Sequence, residues 1–254
     1  MMTAGPESLP MVEPPPRGSA ATEADESRRR RFLRDIFDQT ASHYDRIDGL
    51  LSFGLGRHYR ADALRRGGLA AGMLALDVAV GTGAVSAAAC GIVGPRGRVI
   101  GVDPSPGMLR QARAALAMPL LQGMAEALPF RAQAFDFLSM GYALRHVTTL
   151  EAAFREYARV LRPGGKLLLL EFRRPETRLG LALARVYMGR VVPAFSRLLT
   201  WSRPSEVLMR FCWQTVEDSL PPATIIQALQ QNGFRDVTQR SFFGFLIEYR
   251  AARS

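Results

Sequence analysis

Lysine is all but missing from this chain. Lys166 is the only one among 33 basic residues, so arginine carries nearly all of a formal net charge of +10. Guanidinium pairs with phosphate and carboxylate through a rigid fork of donors. A surplus of this size suits nucleic acid, an anionic lipid surface or a solvated exterior. Zinc-finger spacing, an aromatic RNA-recognition motif and a homeodomain pattern are all lacking, so nucleic acid is not an expected partner. A membrane surface is the functional reading that stands beside plain solvation. Cysteine is as sparse, with Cys90 and Cys212 far apart and outside any C-x-x-C pair. That excludes a disulfide framework, and with no histidine at ligand spacing no metal centre is expected. Free thiols in a reducing, cytoplasmic setting follow, a single long-range disulfide being the alternative. The longest apolar run, "KLLLLEF", falls far short of the roughly 20 residues a spanning helix needs. No internal repeat is present.

What is present is ordered along the chain. Residues 1–26 are rich in proline, glycine and small residues, lack a period, and cannot repay their ordering entropy, so a disordered tail is expected. Its acids (Glu7, Glu13, Glu23, Asp25, Glu26) argue against a transit peptide. A folded domain over residues 27–254 follows. Its first part, 27–70, has Phe32, Ile36, Phe37, Ala41, Tyr44 and Ile47 at helical spacing and a break around "SFGLG". The run Arg28–Arg31 reads as the solvated start of a helix.

From "MLALDVAV" onward short apolar runs alternate with amphipathic segments, "GRVIGVD", "MPLLQGM", "FDFLSMGYAL" and "GKLLLLEF" reading as further strands. Ser105 caps a helix that starts at Pro106. This alternation predicts an α/β fold with a doubly wound, mostly parallel sheet covered on both faces. A helical stretch at 177–220 interrupts it, and "RDVTQRSFFGFLIEYRAA" predicts a final hairpin turning near Gly244, for seven strands in all.

The chemistry concentrates at "LDVAVGTGAVSAAA", residues 76–89. A buried strand ending on Asp77 and passing through Gly81 and Gly83 into a small-residue helix lets a nucleoside lie against bare backbone. About 20 residues on, the next strand ends in Asp103, where an acid can accept both hydroxyls of a ribose. The third glycine of a dinucleotide fingerprint is not there. Asp77 would repel a pyrophosphate and welcome a cationic amino-acid moiety, which favours S-adenosylmethionine over NAD.

"DVAVGTG", "GVDPSPGML", "MAEALPFRAQAFDFLSM", "YALRHVT" and "RVLRPGGKLLLLEF" resemble the ordered motifs of class I S-adenosylmethionine-dependent methyltransferases. More narrowly, they are similar to the ubiquinone/menaquinone biosynthesis C-methyltransferases, and "FDQTASHYDRIDGLLSFGLGRHYR" resembles the amino-terminal signature of that family. The resemblance implies a Rossmann-like methyltransferase fold with a helical cover at 27–70 and a substrate-side insertion at 177–220. It places Asp77, Ala79, Gly81 and Gly83 on the cofactor loop and Ser86 just after it. Asp103 and Pro104 fall at the ribose, Met108 beside the adenine, Met124 and Ala125 at the adenine edge, Gly141 beside the methionine moiety, and Tyr44 on the cover. Many relatives have Asp or Asn at Met124, and the chain also departs from the usual pattern at Asp48, Tyr59, His146 and Arg173.

The implied reaction is transfer of a methyl group to a ring carbon of a quinol or phenol, for which a base that takes the ring hydroxyl proton helps. His146 is the first candidate, Arg145 would stabilise a phenolate, and Asp48 and His43 are secondary. Methionines and aromatics of 177–220 could line an acceptor pocket or form core. Alternatives are N- or O-methylation of a lipid headgroup or secondary metabolite, and a non-catalytic cofactor-binding scaffold. The expected partner is an aromatic or lipophilic small molecule met at the periphery of a membrane, and a homodimer is also expected.

Overall fold

The computed structural model describes residues 23–51, 56–242 and 244–254, apart from the side chains of Glu23, Asp48, Leu50 and Leu51. The expected tail lies mostly outside the described residues, and so does most of the break at "SFGLG". Helix α1 (Glu23–Leu51) begins four residues earlier than the expected domain start. Asp25 and Glu26 fall in its first turn, where they complement the positive end of the helix dipole. α2 (Gly56–Arg66) completes the amino-terminal helical pair.

Seven strands follow: β1 (Leu74–Val78), β2 (Arg98–Asp103), β3 (Leu120–Gln122), β4 (Phe135–Gly141), β5 (Leu161–Phe172), β6 (Phe234–Phe242) and β7 (Leu246–Arg253). They form one sheet in the order β3-β2-β1-β4-β5-β7-β6. β7 runs antiparallel to both neighbours, and the other pairings are parallel. The expected mostly parallel, doubly wound sheet is thus present. The final hairpin turns where expected, at Gly244 with φ 67°.

Helices α3 (Ala84–Val93), α4 (Pro106–Ala115), α5 (Leu150–Val160) and α9 (Pro222–Gln231) cover the sheet. Central strands such as β1 are buried on both faces, which is why they read as continuous apolar runs. Leu76, Val78, Leu138 and Leu169 pack on one face with Phe154 and Tyr157 of α5 and Leu229 of α9. Ala75, Val99, Phe137 and Leu168 pack on the other with α2 and α3.

The interruption at 177–220 is α6 (Arg178–Val186), a π-helical turn at Tyr187–Val191, α7 (Val192–Thr200) and α8 (Arg203–Glu217). Pro193 has no N–H to give, and the wider turn just before it, with Val192 N–H bonded to the Tyr187 carbonyl, absorbs the loss. Met188, Val192, Met209 and Trp213 pack with Ile36 and Ile47 of α1 in a third core. The apolar residues of this insertion are core or outer surface and are not among those lining the cavity of ≈ 540 Å³ at the carboxyl ends of β1 and β4, which the insertion reaches through Phe211 stacked on His146.

Candidate active site

In the sheet order, β1 and β4 are the neighbours from which the chain departs in opposite directions, and the crevice beyond their carboxyl ends is where such sheets bind ligands. The backbone is bent hard there. Ala79 (φ 55°) follows β1 and Tyr142 (φ 59°) follows β4, both in the left-handed region that non-glycine residues avoid, and both line a cavity of ≈ 540 Å³. Gly83 has φ 97°, and a Cβ there would stand 2.5 Å from Leu116 Cδ1. A Cβ on Gly141 would meet Val85 Cγ2 at 2.7 Å, so strand end and glycine loop touch backbone to side chain.

Beneath the loop lies Asp77, 1% exposed. Its carboxylate accepts from Ser86 Oγ at 2.6 Å and from Ser139 Oγ of β4 at 2.8 Å. Burial pushes it up to about 6, against the pull of those two hydroxyls. Asp77, Gly83 and Ser86 therefore sit behind the cavity wall, not on it. The expected direct contact of Asp77 with an ammonium gives way to a structural role, in which the carboxylate holds strand, loop and helix in one geometry.

Asp103 does reach the cavity. Its two oxygens accept from Gly81 N–H and Ser105 N–H, each at 2.8 Å, which leaves lone pairs for further donors. Burial pushes this carboxyl up to about 6 as well, partly offset by the two backbone donors. Ser105 caps α4 as expected, accepting from Met108 N–H at 3.0 Å.

Two acids of α1 that sequence reasoning missed clamp the cover to these loops. Asp38 accepts from Ser105 Oγ at 2.5 Å and Gly107 N–H at 2.6 Å. Asp45 accepts from Thr82 Oγ1 in the glycine loop at 2.5 Å. The signal was their seven-residue spacing, which puts both on one helix face beside Tyr44.

The cavity brings together Tyr44, Ala79, Gly81, Asp103, Pro104, Met108, Met124, Ala125, Gly141 and His146 of the expected set. Met108, Met124 and Ala125 form an apolar wall near the Asp103 carboxylate, and bare peptide at Gly81, where a Cβ would meet nothing within 4 Å, forms the floor. This wall, floor and acid fit an adenosyl group, and the volume falls in the ligand-site range. Gln122 and Glu126, also missed, flank Met124. Glu126 accepts from Thr148 N–H at 2.9 Å.

His146 ends a short 3₁₀ turn, Leu144–His146, after β4. Its ring stacks on Phe211 at 5.6 Å and meets the edge of Phe37 at 5.5 Å. The Asp48 side chain lies outside the described residues.

Arg145 corrects an expectation. It turns away from the cavity into the junction of β5 and α8, where its Nη1 donates to Glu171 Oε1 at 2.5 Å and its Nε to Thr215 Oγ1 at 3.2 Å. Burial opposes its charge, but the Glu171 carboxylate outweighs that and raises its pKa. Both side chains are about 5% exposed or less. The pair fixes the His146 turn to the insertion and cannot meet a phenolate. Arg145→Met should therefore cost about 3–5 kcal/mol in urea unfolding, because it leaves a buried carboxylate alone. Adding Glu171→Gln should restore most of that loss, and no recovery would show that the pair is not the cause.

The sequence profile of the ubiE/COQ5 methyltransferase family matches residues 22–251. The ubiquinone/menaquinone biosynthesis C-methyltransferase UbiE of Syntrophotalea carbinolica is 36% identical over 227 residues, 87% of this chain and 94% of that protein. The UbiE of Shewanella frigidimarina is 32% identical over 213 residues, 81% of this chain and 84% of that protein. A crystal structure of a SAM-dependent methyltransferase from Aquifex aeolicus superposes with TM-score 0.60 at 19% identity, covering 83% of this chain and 98% of that one, which shows the common fold. On the profile and the two relatives, the chain belongs to the ubiE/COQ5 methyltransferase family, and its methyl donor is S-adenosylmethionine.

Proposed function

We propose that the chain methylates a ring carbon of a lipid-soluble quinol or related phenol, with cofactor and acceptor meeting in the cavity between α1 and the sheet. The observation that supports this most is that Asp103, Gly141 and His146 line one cavity. S-adenosylmethionine supplies an electrophilic methyl group on a sulfonium. Asp103 accepts the ribose hydroxyls, Met108, Met124 and Ala125 pack the adenine, and the loop at Ala79 and Gly81 carries the remainder over Asp77. Tyr44 and Phe37 close the cavity from α1 and exclude water, so the protein's work is alignment. His146 takes the proton of the ring hydroxyl, which raises electron density on the ortho carbon. That carbon would gain the methyl as the sulfonium–methyl bond breaks to leave a neutral thioether, and loss of the same carbon's proton would restore the aromatic ring. Its ring is held by Phe37 and Phe211.

A pH dependence follows. In the free protein Asp103 titrates near 6, and only its ionised form accepts two hydroxyls. Cofactor binding therefore lowers that pKa and releases a proton. Affinity should fall by about tenfold per unit below pH 6 and level off above it. Calorimetry in buffers of different ionisation enthalpy reads the proton directly, and uptake in place of release would contradict the assignment. Incubation with labelled methyl donor and a panel of quinols, other phenols and lipid headgroups tests the acceptor. Label on a quinol ring carbon supports the proposal, and label on oxygen or nitrogen alone refutes it.

A further inference from the structure

Among the described residues, the strongly exposed large apolar side chains all lie between Leu179 and Leu220. Leu179, Leu183 and Leu198 are 62–71% exposed and Trp201 is 88% exposed. Leu179, Leu183, Val186, Val191, Phe195 and Leu198 recur every three to five residues, the five-residue step falling at the π turn, so α6, the π turn and α7 present one outer stripe opposite the Met188–Val192 face that packs on α1.

The charge beside that stripe has one sign. Residues 177–202 hold four arginines, Arg178, Arg185, Arg190 and Arg197, and no acid. Carboxylates from α8 reach two of them, Glu217 with Arg185 at 2.6 Å and Glu206 with Arg197 at 3.3 Å. No described carboxylate pairs with Arg178 or Arg190. These two, with Arg185, Leu181, Ala182 and Val186, line a second cavity of ≈ 430 Å³ on this face.

We propose that the α6–α7 face is a docking surface for an anionic lipid bilayer, in which Leu179, Leu183, Leu198 and Trp201 enter the headgroup boundary. Arg178 and Arg190 hold lipid phosphate in the groove between them. An apolar stripe of leucine, phenylalanine and tryptophan flanked by arginine is the pattern of a helix that lies in the interface plane. No described helix is long and apolar enough to cross a membrane. A two-fold contact with a second copy through this face is disfavoured by the same charges, because it would bury Arg178 and Arg190 of both copies with no described carboxylate paired to either. The surface also deepens the reading of a lipid-soluble acceptor and rests on it in one respect. The insertion packs on α1, and Arg30, Arg31 and Arg34 of α1 line the main cavity, so docking brings that cavity to the place where such an acceptor resides.

The test uses the full chain with vesicles of phosphatidylcholine alone and of phosphatidylcholine mixed with phosphatidylglycerol. The chain should sediment with the mixed vesicles and be released by salt, since each arginine near the surface strengthens partitioning about fivefold at low ionic strength. Arg178→Glu with Arg190→Glu, and separately Leu183→Ser with Trp201→Ser, should each weaken sedimentation by at least about tenfold. All four side chains sit outside the main cavity. Both variants should therefore retain methyl transfer to a short-tailed quinol in detergent. Equal sedimentation of variants and parent would overturn the proposal, and so would a dimer that Trp201→Ser dissolves. Vesicle binding with no transfer to any quinol would instead refute the acceptor reading and leave the docking surface standing.

Discussion

Asp103→Ala is expected to weaken S-adenosylmethionine binding by about 10²–10⁴-fold in calorimetry. Two effects add. The ribose loses an ionised acceptor for two hydroxyls, and hydrogen bonds to a charged group are worth about 1.5–3 kcal/mol each. The same change also deprives Gly81 N–H and Ser105 N–H of the oxygens they now meet at 2.8 Å, so the glycine loop loses its tie to the start of α4. Thermal unfolding separates that loss of loop order from a loss of fold. Asp103 is the last residue of β2 and is not part of the apolar core, and α4 keeps its second tie through Asp38, so the variant should unfold cooperatively. Asp103→Asn supplies a milder version, with one acceptor retained and one backbone donor opposed. It should fall between alanine and parent, and an alanine variant that binds as tightly as parent would remove the ribose from this corner.

His146→Ala should lower kcat by about 10²–10⁴-fold while the cofactor dissociation constant moves little. The split matters, because His146 is also packing. Its stack on Phe211 and edge contact with Phe37 are worth about 0.5–1.5 kcal/mol each, and their loss alone would loosen the α1 cover. A loosened cover raises the cofactor dissociation constant and KM, whereas a missing base lowers kcat. His146→Phe keeps the rings stacked and removes the base, so it should be as inactive as alanine yet as stable as parent. Activity in the phenylalanine variant would leave the histidine a packing residue only.

The parts of this protein written in local sequence were readable. A run such as "LDVAV" ending in glycines can hardly be other than a buried parallel strand. Ser105 before Pro106 caps a helix whatever surrounds it, and the interval from the glycines to Asp103 is set by one strand–helix–strand unit. What was not readable depends on partners distant in the chain. Asp77 meets Ser139, 62 residues on, and so becomes a buried brace. Arg145 looked available because its partner, Glu171, comes from the next strand and Thr215 from a helix of the insertion. The apolar residues of 177–220 carry the same periodicity on their inner and outer faces, and only the fold decides that Met188 and Trp213 are core while Leu183 and Trp201 face outward. The clamps at Asp38 and Asp45 were within reach through their spacing, but an acid on a helix face is as readily solvated.

Most direct of all is a crystal structure of the chain with S-adenosylhomocysteine. The ribose hydroxyls should both lie within hydrogen-bond distance of the Asp103 carboxylate, with the adenine against Met108 and Met124 and the thioether sulfur toward Gly141. A ligand seated elsewhere, or a ribose that leaves Asp103 untouched, would contradict the site as built from these residues.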